Sequence, residues 1–152
     1  MEIAFHVNIR IAKPLAEVFD AVVNPQKLSG YFTETSSAPL QEGQTVVWTF
    51  PDFPGEAPVK VHKVVPNSMI QLEWESMEGG YNTQVEMKFQ EIDRTTTLIT
   101  IEESGWRETP KGVKSSYLNC SGWTHMLCCM KAYLEFGINL RAGSYKPEDV
   151  QL

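Results

Sequence analysis

The sequence has no excess of basic residues, no long hydrophobic run and few cysteines, and each of these absences excludes a class of protein. Its 13 lysines and arginines are outnumbered by 19 aspartates and glutamates, which gives a net charge of −6 at pH 7. Because phosphate binding needs a basic face, this charge argues against a nucleic-acid partner. A run of about 18 apolar residues is missing, so we expect no membrane span. The chain opens on a strand pattern, and we expect no signal peptide.

The three cysteines are Cys120, Cys128 and Cys129, and all of them lie in one predicted C-terminal helix. Eight residues along a helix span about 12 Å, which is too far for a disulfide between Cys120 and Cys128. No set of Cys and His residues has the spacing of metal ligands, so we predict no metal site and no cofactor. Free thiols are typical of a reducing compartment, which predicts a cytoplasmic location.

The length of 152 residues and the hydrophobic content of 42% predict one globular domain with its own core. We place this domain at residues 1–140. Residues 141–152 are mostly polar and contain Gly143 and Pro147, which predicts a frayed C-terminal tail.

The first 30 residues predict a strand followed by two helices. Residues 2–12 alternate between apolar and polar side chains, which is the pattern of a half-buried strand. Pro14 suits the first turn of a helix, and apolar residues follow it at helical spacing as far as Val22. Asn24-Pro25 ends that helix and opens a short second one.

Turn residues then separate a series of predicted strands. These strands are residues 32–37, 44–50, 57–65, 68–75, 81–91 and 95–103, with a rigid loop from Pro51 to Gly55. Their hairpin-like connections predict an antiparallel meander. Strand parity directs a set of large aromatic side chains to the inner face, namely Trp48, Phe50, Trp74, Tyr81 and Phe89.

A long C-terminal helix is predicted from about Ser116 to Phe136, after a loop at residues 104–115. Its only formal charges between residues 119 and 137 are Lys131 and Glu135, so we expect it to be buried on most of its circumference. Because strands precede it, this helix must lie across a curved antiparallel sheet. The predicted fold class is therefore α+β, with a pocket between the helix and the sheet.

Several short motifs follow one another in a specific order along residues 3–138. They are Pro14-Leu-Ala-Glu-Val18-Phe19-Asp-Ala21, Asn24-Pro25-Gln-Lys-Leu28, Gly43, Glu103-Ser104-Gly105-Trp106, Gly122-Trp123, Leu127, Lys131, Leu134-Glu135 and Gly137. In this order the chain resembles the helix-grip fold of the START-like (SRPBCC) superfamily, in the branch named after the activator of the heat-shock-protein-90 ATPase. Tyr31-Phe32 stands where that branch often has a tryptophan. The resemblance implies a sheet curved around the C-terminal helix, in a group that includes ligand binders and cyclases.

The inward aromatic residues and the resemblance together predict a cavity between the sheet and the C-terminal helix. We expect this cavity to bind a small apolar or aromatic molecule. The residues predicted to line it are Trp48, Phe50, Trp74, Tyr81, Thr83, Met87, Ile99, Trp123, Thr124 and Leu127. Buried indoles and phenols need hydrogen-bond partners, so inward polar groups are expected from among Thr83, Glu103, Ser121 and Thr124.

Two alternative functions remain open, because the sequence contains no motif specific for catalysis. One is a cyclase or dehydratase acting on a hydrophobic substrate in the same cavity, with His125, Glu103 and Tyr81 as the acid–base groups. A hydrogen-bonded pair of His125 and a carboxylate in the pocket would favour that enzyme. The other is a co-chaperone-like protein-interaction module, which predicts an exposed apolar patch. Such a patch around Phe53 would equally suit a homodimer or another protein partner.

Overall fold

The structure, a computed structural model, describes residues 1–150 and places a long helix against a curved antiparallel sheet. The predicted α+β fold class and helix-grip architecture are confirmed. The elements in chain order are β1 (Ala4–Ile11), α1 (Leu15–Val23), α2 (Pro25–Leu28), β2 (Thr35–Ser36), β3 (Thr45–Phe50), β4 (Phe53–Val65), β5 (Met69–Glu75), β6 (Asn82–Asp93), β7 (Thr96–Ser104), α3 (Pro110–Phe136) and a 3-10 turn at Pro147–Asp149.

The seven strands of the sheet have the order β1-β7-β6-β5-β4-β3-β2, and every neighbouring pair is antiparallel. Strands β2 to β7 form the predicted meander, and β1 returns to pair with β7. Register shifts interrupt three hairpins, between Thr49 and Phe50, between Val61 and Lys63, and between Glu91 and Asp93. Such bulges increase local bend and twist, which lets the sheet curve around α3.

Two predicted strand boundaries are wrong. β4 begins at Phe53, which pairs with Phe50, so most of the predicted loop from Pro51 to Gly55 is strand. The turn itself is limited to Pro51 and Asp52, and the register shift between Thr49 and Phe50 leaves Pro54 and Gly55 as extra residues of β4. The strand predicted at residues 32–37 is limited to β2.

Helix α3 begins at Pro110, well before the predicted start at Ser116. The Thr109 hydroxyl caps the helix by accepting a 2.9 Å hydrogen bond from the Gly112 amide, and Pro110 occupies the first turn. Gly112 has low helix propensity, but a Cβ there would lie 2.1 Å from the Arg107 carbonyl oxygen. The close approach of the preceding loop therefore explains the glycine at this position.

The buried residues of α3 form one stripe and do not surround the helix. They cluster on one side of the helix, at Gly112, Ser115, Ser116, Asn119, Trp123, Met126, Leu127, Cys129 and Met130. The opposite side is exposed at Tyr117, Thr124 and Cys128. The prediction that α3 is buried on most of its circumference is thus wrong, because small uncharged residues can face solvent without formal charges. Among residues 1–150, no helix is both long and apolar enough to cross a membrane.

The inner face of β7 carries a row of buried side chains that ends in a carboxyl group. Thr97, Ile99 and Ile101 are each 0% exposed, and Glu103 at the end of the same row is 1% exposed. The middle of the space between sheet and α3 is filled by apolar side chains, among them Met87 and Ile99. Any cavity must therefore lie toward the end of the sheet where Glu103 is buried.

Candidate ligand-binding site

A pocket of about 300 Å³ lies where the β3–β4 hairpin, the end of β5, α3 and the segment after α3 meet. Its aromatic and aliphatic lining residues include Phe32, Phe50, Phe53, Trp74, Leu118 and Trp123. Its polar lining residues are Glu56, Glu75, Asn119, Ser121, Arg141 and Tyr145. The volume is near the lower limit for small-molecule sites, so a compact molecule fits better than a long lipid chain.

The aromatic side chains of this pocket form one continuous cluster. The ring of Phe32 lies 5.1 Å from that of Phe50 and 5.5 Å from those of Trp48 and Trp123, between centroids. Trp74 extends the cluster, with its centroid 5.3 Å from Trp123 and 5.9 Å from Trp48. Rings at these separations support one another, so the pocket has a rigid apolar lining.

The carboxylate of Glu103 lies behind the two indoles and accepts hydrogen bonds from four side chains. Its Oε1 accepts from Trp74 Nε1 at 2.8 Å, Thr83 Oγ1 at 2.8 Å and Asn119 Nδ2 at 3.0 Å. Its Oε2 accepts from Trp123 Nε1 at 2.8 Å and from Asn119 Nδ2 at 3.2 Å. Both indole N–H groups are therefore directed to Glu103, which leaves carbon surface for the pocket.

Burial raises the pKa of Glu103, and the four hydrogen bonds oppose that shift by stabilising the ionised form. No lysine or arginine forms a salt bridge with this carboxylate among the described residues. Its negative charge is thus balanced only by neutral donors. Strand parity had already placed Glu103 among the expected inward polar groups, because it continues the inward row of β7.

A buried ion pair ties the segment after α3 to the β3–β4 turn beside the pocket. Arg141 and Asp52 have side chains 8% and 5% exposed, with Nη2 3.0 Å from Oδ1. The guanidinium also lies over two rings of the cluster, 5.3 Å from the centroid of Phe32 and 5.4 Å from that of Phe50. Arg141 Nε and Asp52 Oδ2 are buried and have no hydrogen-bond partner among residues 1–150.

The segment after α3 contributes Arg141, Tyr145 and Val150 to the lining. Tyr145 packs its ring edge-on against His125 of α3, with the centroids 4.9 Å apart. The frayed tail predicted for residues 141–152 stays a prediction, and its residues 151 and 152 lie outside the described part of the chain. Within the described part, Arg141 is one of the buried charged residues.

The structure distributes the ten predicted lining residues among four environments. Three of them line the pocket, namely Phe50, Trp74 and Trp123. Another five are buried in the interior away from its lining, namely Trp48, Thr83, Met87, Ile99 and Leu127. Tyr81 is half-buried near the β5–β6 turn, and Thr124 is exposed on α3. Ligand binding by these residues stays a prediction.

The three residues suggested for acid–base catalysis do not bond to one another. The nitrogen atoms of His125 lie 3.6 Å from the Cys129 sulfur, and burial, followed by the charge of Arg141, lowers the pKa of this histidine. The Tyr81 hydroxyl donates to Glu78 at 2.7 Å. In residues 1–150, no hydrogen bond joins His125 to a carboxylate, so the pair that would favour the enzyme alternative is not found there.

Sequence reasoning did not assign Phe32, Asn119 or Arg141 to the site. Phe32 was noted only as part of Tyr31-Phe32, which stands where relatives often have a tryptophan. Asn119 could have been found, because it lies one helical turn before Trp123 on the buried stripe of α3. Arg141 gave no signal, since the polar sequence after α3 has no periodicity.

A larger recess of about 530 Å³ lies on the outer face of the sheet, where His6, His62, Gln84 and Glu102 are among its lining residues. These side chains are largely exposed and polar, so the recess offers little apolar surface to a ligand. No cluster of three or more His, Cys, Asp or Glu residues suited to a metal ion occurs within residues 1–150.

The curved sheet, the long C-terminal helix and the aromatic pocket between them define a helix-grip domain of the START-like type. The chain belongs to the family of activator of Hsp90 ATPase homolog 1-like proteins, whose pattern matches residues 12–135. This match covers most of the sheet and nearly all of α3. No curated protein of established role matches the sequence.

Solved structures from several organisms share the fold. A crystal structure of a Staphylococcus saprophyticus protein is 25% identical, with a TM-score of 0.78 over 91% of this chain and 96% of the other. The Aha1 dimer from Colwellia psychrerythraea is 21% identical, with a TM-score of 0.73 over 89% of this chain and 98% of that one. DynU16, a putative protein in the dynemicin biosynthetic locus, is 23% identical, with a TM-score of 0.76 over 88% of this chain but 48% of DynU16.

Proposed function

We propose that the protein binds a small apolar or aromatic molecule in the pocket between the sheet and α3. The observation that carries this proposal is a pocket of about 300 Å³ lined by the rings of Phe32, Phe50, Trp74 and Trp123. The indole N–H groups are already bonded to Glu103. A ligand therefore does not need to satisfy them, and apolar surface is the main feature it meets.

The expected affinity follows from the apolar area that such a ligand buries. A one- or two-ring molecule that buries about 200 Å² of apolar surface gains about 5 kcal/mol. Association and ordering costs offset part of this gain, so unoptimised aromatic probes should bind with dissociation constants of roughly 0.1–1 mM.

Gly122 offers a way to block the pocket without disturbing the fold. It lines the pocket on α3, and a Cβ at this position has no neighbour within 4 Å. Gly122→Phe should fill part of the cavity, whereas Gly122→Ala adds one methyl group and serves as the matched control. Both changes remove a helix glycine, so both should preserve or raise helix stability.

The test combines native mass spectrometry of the purified protein with calorimetric titration of indole and p-cresol. We expect a co-purifying small molecule or saturable binding of a probe, retained within about threefold in Gly122→Ala and weakened at least about tenfold in Gly122→Phe. Equal binding by both variants would place the ligand elsewhere. No bound molecule and no titration with either probe would show that the proposed function is wrong.

Two further expectations stand as separate proposals. Free thiols at Cys120, Cys128 and Cys129 fit a cytoplasmic location, which imaging of the tagged protein in its own cell can check. Self-association as a homodimer is suggested by the dimer described for the Colwellia relative. Sedimentation velocity at micromolar concentration should then give twice the mass of the 17.2 kDa chain.

A further inference from the structure

The charges around the pocket are strongly unequal. Glu56 and Glu75 are exposed lining residues, and the carboxylate of Glu103 is buried behind the indoles. None of these three forms a salt bridge among the described residues. The single basic residue of the lining, Arg141, is already paired with Asp52. The pocket therefore has an excess of negative charge.

The aromatic rings of the lining also attract positive charge. Ring faces carry the negative part of the aromatic quadrupole and attract cations within about 6 Å of the centroid. Trp74 and Trp123 direct their N–H edges to Glu103, so those positive edges are not available to a ligand.

The cluster already holds one cation of the protein itself. The guanidinium of Arg141 lies within 5.4 Å of the ring centroids of Phe32 and Phe50. Asp52 pairs with this guanidinium at 3.0 Å, and the contact shows that the rings pack against a positive group at close range. Trp74, with its partner Trp123, provides further ring surface in the same pocket.

We propose that the natural ligand is an aromatic or apolar molecule that carries a positive charge, such as an aryl ammonium compound. The inference rests on the proposed function, because it names the chemical class that the same pocket selects. An anionic ligand would meet the exposed carboxylates of Glu56 and Glu75, with the buried carboxylate of Glu103 behind the indoles, and a guanidinium whose charge Asp52 already balances. A neutral ligand would gain only from burial of its apolar surface.

Two isosteric probes separate charge from shape. Benzyltrimethylammonium and neopentylbenzene have the same size and differ in one atom, nitrogen for carbon, and hence in charge. 3-Phenylpropionate represents the anionic class. Titration by quenching of intrinsic tryptophan fluorescence should show benzyltrimethylammonium binding at least about tenfold more tightly than neopentylbenzene, with 3-phenylpropionate weakest.

Removing one carboxylate from the lining of the pocket tests how much charge contributes to binding. Glu75→Gln keeps an oxygen that can accept the 3.1 Å hydrogen bond from the Gly80 amide, so the fold should be preserved. We expect about threefold weaker binding of benzyltrimethylammonium and unchanged binding of neopentylbenzene. Glu91→Gln removes the same charge from an exposed position on β6 that does not line the pocket, and it should change neither affinity.

Each outcome decides between the two proposals. Equal or tighter binding of neopentylbenzene, blocked by Gly122→Phe, would overturn the charge preference and leave the binding function intact. Tightest binding of 3-phenylpropionate would overturn the preference and point to Arg141 as an anion-binding group. No binding of any probe, together with no binding of indole or p-cresol, would overturn both proposals.

Discussion

Replacing Glu103 by glutamine tests whether the hydrogen bonds behind the pocket stabilise the protein. The carboxylate has two acceptor oxygens, whereas the amide has one oxygen and an NH₂ group that can only donate. If the amide oxygen keeps the bonds of Oε1, the NH₂ group faces the Trp123 N–H, which lies 2.8 Å from Oε2 in the native protein. One buried indole donor is then left without an acceptor.

The size of the effect follows from two opposing contributions. A buried donor without a partner costs about 1–3 kcal/mol. The neutral amide avoids part of the burial penalty that raises the pKa of Glu103. We therefore expect Glu103→Gln to lower the free energy of unfolding by about 2 kcal/mol. With a urea slope of about 2 kcal/mol/M, the unfolding midpoint falls by about 1 M.

The assay is urea unfolding at pH 7, followed by circular dichroism and by tryptophan fluorescence. Glu102→Gln is the matched control, because Glu102 is the neighbouring residue on the outer face, 45% exposed, and pairs with Lys88 at 3.3 Å. Glu102→Gln should lower the free energy of unfolding by less than about 0.5 kcal/mol. Trp123→Phe should also cost less in the Glu103→Gln background than in the native protein, since it removes the unpaired donor. A Glu103→Gln protein as stable as the native one would refute this reasoning.

Three further results are expected. Urea titration should show that Gly122→Ala is neutral or stabilising. Gly112→Ala should lower the free energy of unfolding by about 2 kcal/mol, because the added Cβ would lie 2.1 Å from a backbone oxygen. Ellman's reagent should label exposed Cys128 quickly in the folded protein, and Cys128→Ser should abolish this fast labelling. Burial raises the pKa of Cys129 to about 11, so this thiol should react only after unfolding. Hydrogen bonds, of which the one from Asn82 is the strongest, lower the pKa of Glu73 from 4.5 to about 2. The contribution of Glu73 to the stability of the protein is therefore complete above pH 4.5 and is lost as pH falls toward 2. The loss should be only about 1 kcal/mol, because solvent screens this surface group, and it should vanish in Glu73→Gln.

Local patterns in the sequence were enough to predict the order of strands and helices. Alternation along residues 2–12 and turn residues between later segments predicted strands that the structure contains, because period-two patterning reflects which face is buried. Parity also placed Glu103 on the inner face, and the structure confirms that it is buried there. The predicted boundaries of the helices and strands were less accurate than their order. The early start of α3 depends on how closely the Arg107 carbonyl approaches Gly112, which is a tertiary contact.

The position of the pocket was decided only by the tertiary structure. The alternation of side chains along a strand predicts that Met87 and Ile99 face inward. It does not predict how far α3 lies from each point of the sheet. In the middle of the sheet these side chains fill the space completely, and toward the end near Glu103 they leave a cavity. Phe32, Phe50 and Arg141 are far apart in the chain, and only folding places the guanidinium over both rings. The sequence by itself therefore determined the fold and the inward residues, while the curvature of the sheet and the distance to α3 determined which of those residues a ligand could reach.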